Sequence, residues 1–112
     1  AMCEGLVFAA KAGSDLKAVL KALSGGAAGS WMVDNLGQKV LDDDFIPGFM
    51  VDLAQKDLRL VLESASEMNM PLFTTPIVNQ IFRSTQQANN GQDGIQAYIK
   101  TLEDLAGVHA RT

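Results

Sequence analysis

The chain has 112 residues, 47% hydrophobic and 20% charged, which suits one buried core and lies outside the composition of disordered chains. Nine basic side chains against 13 acidic give a net charge of −4, with no basic cluster, which argues against a nucleic-acid partner whose phosphates need a cationic face. The longest apolar run, Leu6–Ala10, is far below the roughly 20 residues that cross a bilayer, and no secretory signal opens the chain. Cys3 and His109, each alone of its kind, make neither an internal disulfide nor a structural zinc site. A soluble, cytoplasmic single domain is expected.

Met2, Leu6, Ala9 and Ala10 share one side of a helix over Ala1–Ala12, which lacks a capping residue at its start and meets Gly13 at its end. Ser14 or Asp15 caps a second helix, with Leu16, Val19, Leu20 and Leu23 at helical spacing. After a small-residue loop over 24–29, Ser30 caps a third helix to about Val40, whose apolar members are Trp31, Val33, Leu36 and Val40. Asp42, Asp43 and Asp44 end it, and Phe45–Gly48 reads as an extended linker. Phe49 to Met68 is the longest segment with helical apolar spacing, broken by Met70-Pro71. Thr75-Pro76 opens a helix to about Ala88, since proline in the first turn lacks only an N–H that has no partner there. A turn over 89–94 leads to a last helix, Ile95–Ala106, before Gly107. The β-branched residues fall on helical spacing, so an all-α bundle of about six helices is expected.

On a helical wheel, Met50, Ala54, Leu58, Val61, Ala65 and Met68 form a stripe, flanked by Phe49, Leu53 and Leu60 on one side and Val51 and Leu62 on the other. An apolar arc this wide places the segment at the bundle centre, with Leu58 in the core. Asp57 falls inside that arc, where a carboxylate needs partners. It reads either as a structural acid on a neighbouring helix end or as an acid held beside a ligand pocket. Lys56 lies at the polar edge near Phe49, either solvated or facing the same cleft.

Other candidates carry less. The glycines of 24–29 follow no strand and lack the dinucleotide-loop spacing. Asp42–Asp44 reads as a solvated helix end rather than a cation site, and His109 as part of a polar tail. The five methionines read as core filler, and Cys3 as a packed side chain.

Taken in order, Glu4-Gly5-Leu6, Leu23 through Trp31, Asp44 through Phe49, Lys56-Asp57-Leu58, Pro71 and Gly91-Gln92-Asp93 resemble the C-terminal helical domain of the β-hydroxyacid dehydrogenase family. Its members include 3-hydroxyisobutyrate dehydrogenases, tartronate semialdehyde reductases and glyoxylate/succinic semialdehyde reductases. The resemblance covers nearly the whole chain and implies an all-α fold of the 6-phosphogluconate dehydrogenase C-terminal type. It implies that Lys56 reaches a bound NAD or NADP, while Phe49 and Asp57 shape and support the active site. It further implies that a Rossmann domain and a catalytic lysine precede Ala1, so no catalytic residue and no metal ligand is assigned here. The partners implied are that Rossmann domain, a short 3-hydroxy acid or semialdehyde as substrate, and further copies in a dimer or tetramer. The alternative is a stand-alone helical protein-interaction module, with Asp57 structural and Lys56 merely exposed.

Overall fold

Helix ends are marked by local chemistry at several points in the chain. The Asp15 carboxylate, rather than Ser14, accepts from the amides of Lys17 (3.0 Å) and Ala18 (3.3 Å), and the Ser30 hydroxyl accepts from Val33 at 3.2 Å. Gly13 and Gly107 take the left-handed conformation (φ 74° and 63°) that stops the first and last helices. The computed structural model, which describes residues 1–112, has six α-helices and no strand. They are α1 (Met2–Lys11), α2 (Leu16–Ser24), α3 (Trp31–Leu41), α4 (Val51–Glu67), α5 (Thr74–Gln87) and α6 (Tyr98–Ala106). A single 3-10 turn, Ile95–Ala97, leads into α6. Helix α5 starts one residue before Thr75, which leaves Pro76 in its first turn.

The main core lies between α1, α2, α3 and α6, where Leu6, Leu16, Leu20, Val33, Val40, Leu41 and Ile99 are buried together. Of the consecutive Leu6, Val7 and Phe8, the first two are buried and only Phe8 faces solvent. Helices α4 and α5 pack chiefly on each other. Their seam is partly polar: Gln55 Nε2 donates to Asn79 Oδ1 at 3.1 Å, and both residues are buried. Helix α5 joins this pair to the core through Phe82 and Tyr98, whose rings meet edge to face at 4.9 Å between centroids. The molecule is correspondingly elongated, 45 × 32 × 25 Å.

Three expectations change. The segment from Phe49 to Met68 is not the bundle centre: α4 begins only at Val51, and just Val51, Gln55 and Ala65 along it are buried. A wheel counts apolar residues, whereas burial requires a neighbour, and α5 covers only one side. Leu58 is therefore half-buried, and Phe49, Leu53, Leu60, Val61 and Met68 face solvent. Asp57, expected to be buried, is exposed on that uncovered side and has Lys56 as its ion-pair partner. Of the methionines, Met2 packs against the core, but Met32, Met68 and Met70 are exposed, as is Trp31 at the first position of α3.

The C-terminal residues form a strap instead of a loose tail. Val108 N donates to Glu103 O at 3.2 Å, and Ala110, fully buried, gives its amide to Glu103 Oε1 at 2.7 Å. Arg111 holds both Glu103 oxygens, the Nη2–Oε2 contact being 2.9 Å, and its Nε donates to Asp43 Oδ1 at 2.7 Å. Thr112 N then donates to Leu41 O at 3.0 Å, which fastens the chain end to α3. Only His109 of this segment fits the polar-tail reading, being largely exposed.

Candidate functional site

The uncovered side of α4 is the candidate site. Lys56 and Asp57 form an ion pair of 3.2 Å with both side chains more than half exposed, 52% and 54%. Leu53 and Leu60 lie three residues before and four after Lys56, and Val61 lies four after Asp57, all exposed. Side chains at these spacings share one helical face. The result is a charged pair beside exposed apolar side chains, with Asp57 flanked by Leu53, Leu60 and Val61 and Lys56 at the polar edge of that face. Phe49, also exposed, precedes the helix by two residues and stands about two helical turns from Lys56. The structure thus brings Lys56 and Asp57 together and sets Phe49 at the helix's N-terminal end.

Exposed ion pairs contribute at most about 1 kcal/mol. Lys56 can therefore turn from Asp57 to an incoming acceptor at little cost, with up to three N–H donors to offer. The flanking leucines would desolvate whatever docks there and so strengthen those hydrogen bonds.

The segments beside this helix end are tightly held. Asp44 accepts from Ile46 N at 2.9 Å and pairs with Lys39 at 3.4 Å, and the Ile46 N–H is the main reason its carboxyl lies below the usual range. The buried Gln96 donates to Asp44 O (3.1 Å) and Ile46 O (3.3 Å). Lys100, on α6, donates to Asp93 Oδ2 (2.8 Å) and Asn90 Oδ1 (3.1 Å), with its ammonium 4.2 Å from the Phe45 ring centre. Sequence reasoning assigned no role to Gln96 or Lys100. The one available signal was Gly91-Gln92-Asp93, which served only as a point of resemblance.

Elsewhere, an apolar cavity of about 520 Å³ is lined by Met2, Cys3, Leu23, Val33, Phe82 and Tyr98 among others. Burial pushes the Cys3 thiol up to about 12, so it is protonated and packed as expected.

Residues 1–102 match the family model described as NAD-binding of NADP-dependent 3-hydroxyisobutyrate dehydrogenase. The chain belongs to this family. A probable 3-hydroxyisobutyrate dehydrogenase-like protein of Arabidopsis thaliana, named as mitochondrial, is 38% identical over 99% of the chain and 33% of its own length. The 2-hydroxy-3-oxopropionate reductase of Escherichia coli is 36% identical over 95% of the chain and 36% of its own length. The crystal structure of 3-hydroxyisobutyrate dehydrogenase from Salmonella typhimurium superposes with a TM-score of 0.85 at 33% identity, covering 88% of this chain and 35% of that one. This 3-hydroxyisobutyrate dehydrogenase-family chain thus spans about a third of the length of those relatives. The family is one of oxidoreductases acting on CH–OH groups with a nicotinamide cofactor. No helix of the chain is long and apolar enough to cross a membrane.

Proposed function

We propose that this chain is the C-terminal, cleft-lining and oligomerisation domain of an NAD(P)-dependent dehydrogenase or reductase of short 3-hydroxy acids and semialdehydes. The observation that carries the reading is the exposed Lys56–Asp57 pair on a face of α4 whose apolar side chains Leu53, Leu60 and Val61 are also exposed. Family membership, and relatives about three times as long, support an N-terminal Rossmann domain as the opposite wall. The catalytic lysine belongs to that part of the enzyme, and the chain by itself is expected to be inactive.

The residues on α4 suit a nicotinamide cofactor in their donor chemistry. Lys56 offers an ammonium whose present partner is weakly held, and a dinucleotide is rich in oxygen acceptors. When bound, the nicotinamide ring supplies hydride exchange with the substrate carbon. Within this chain, Lys56 binds and orients, Asp57 steers the ammonium, and Phe49, Leu53 and Leu60 exclude water from the closed cleft. The further exposed apolar residues Phe8, Trp31, Phe73 and Leu105 lie outside that face and suit contact with other copies, in a dimer or tetramer.

The test is Lys56→Ala in the two-domain enzyme. Cofactor KM should rise about tenfold or more, as for a lost ground-state contact. The melting temperature should stay put, because an exposed pair holds little stability. An unchanged KM would return Lys56 to an ordinary solvated lysine.

A further inference from the structure

Helix α4 has no side-chain cap: Met50 stands at its N-cap position and makes no capping hydrogen bond. Its first amides must nonetheless find acceptors. They find them far downstream in the 89–94 turn, where Val51 N donates to Asp93 O and Asp52 N to Gly91 O, both at 2.9 Å. The same turn holds the linker before the helix, since Gly94 N donates to Phe45 O at 2.8 Å and Ile95 N to Phe49 O at 2.9 Å. Phe49 and the end of α4 that carries Lys56 thus hang on one short turn.

To the turn's own backbone hydrogen bonds, Asn90 N to Thr85 O and Asp93 N to Asn90 O, Lys100 adds a side-chain clamp. Its ammonium joins Asp93 Oδ2 and Asn90 Oδ1 from α6, and the Phe45 ring lies 4.2 Å away. The turn just before α6 and the linker at Phe45, distant in sequence, therefore meet at one side chain. A second tie comes from α5, whose Gln86 Nε2 donates to Asp52 Oδ1 at 2.6 Å. One side of α4 is uncovered, so beyond its seam with α5 these ties hold the N-terminal end of the helix and with it Lys56. Misplacing a binding group by about 1 Å can cost on the order of a hundredfold in rate.

We infer that Lys100 is a positioning residue for the cofactor site: it clamps the 89–94 turn, which fixes the N-terminal end of α4 and, through it, Lys56. The inference rests on the cofactor-binding reading of Lys56, and the test separates the two.

In this chain, Lys100→Met should speed hydrogen exchange at the Val51 and Asp52 amides about tenfold, as expected for losing a charged hydrogen bond that holds their acceptors. Val40, in the main core, should keep its protection. In the two-domain enzyme the same variant should raise cofactor KM about tenfold with kcat little changed, and Lys100→Arg should restore most of it. On a Lys56→Ala background, Lys100→Met should add almost nothing, because both changes remove one contact. If Lys100→Met does not fold, Gly91→Ala loosens the same end, since its Cβ would push the Asp52 carboxylate off Gln86. Unchanged exchange at Val51 and Asp52 overturns the clamp. A KM effect that persists in full without Lys56 overturns the positioning role. Should Lys56→Ala alone leave KM unchanged, the cofactor reading falls, and with it the positioning role; the exchange result then decides the clamp by itself.

Discussion

Replacing Arg111 by methionine should destabilise the domain through its C-terminal strap at a cost far above that of an ordinary surface change. Glu103 is only 2% exposed and Arg111 19%. In the variant the carboxylate keeps the Ala110 amide at 2.7 Å, and His109 Nδ1 at 3.8 Å is mostly solvated. A buried carboxylate that loses its partner typically costs about 3–5 kcal/mol. The Asp43 contact adds at most about 1 kcal/mol, because Asp43 is exposed. With the Ala110 bond retained, the expected loss is about 3 kcal/mol, a large share of the roughly 5–15 kcal/mol that holds a domain together. Urea denaturation should show a lower midpoint with an unchanged slope. The double variant Glu103→Gln, Arg111→Met should recover part of the loss, because no charge is then stranded. A loss below about 1 kcal/mol for Arg111→Met would mean that the strap is a surface ornament.

On α4, Leu58→Ala should cost about 1–2 kcal/mol, below the roughly 2–5 kcal/mol of a core leucine, because the side chain is only half-buried. Asp57→Ala should change stability by no more than about 0.5 kcal/mol, its one ion-pair partner being the exposed Lys56; denaturant melts check both. Cys3 should resist thiol reagents at mildly alkaline pH in the native protein and react promptly in urea, since burial holds its thiol near 12; rapid native labelling would refute its packing. Asp44 titrates below its unfolded value because the charged form accepts from Ile46 N and pairs with Lys39. Its contribution is present above the unfolded value and is lost as pH falls through the folded one. Asp44→Asn should accordingly flatten the acid limb of a stability–pH curve.

Several helix boundaries, though not the start of α4, were legible because their signals are local. Asp15, Ser30, Gly13 and Gly107 each act on backbone groups within a few residues. The burial of α4 was not, because the periodicity of Phe49–Met68 records how apolar the segment is and not how many neighbours it has. Leu53 and Leu60 look like core leucines in sequence, yet the structure leaves them at the surface. The same reasoning misplaced Asp57, whose position in the apolar arc implied burial that α5 does not provide. The strap and the turn clamp were invisible for another reason. Glu103–Arg111–Asp43 and Lys100–Asp93–Phe45 join residues whose types are common and whose partnership depends on the finished fold. Lys56 became a candidate for the site mainly through family resemblance, since by composition it is one lysine among others.

Lysine footprinting of the two-domain enzyme tests the central claim most directly. Acylation of Lys56 would be followed by mass spectrometry with and without saturating NAD(H) or NADP(H), and Lys17 and Lys21 on the remote α2 would serve as internal references. If Lys56 contacts the cofactor, its acylation should slow severalfold with one of the two cofactors while Lys17 and Lys21 react as before. Equal reactivity of Lys56 with and without either cofactor would contradict the account.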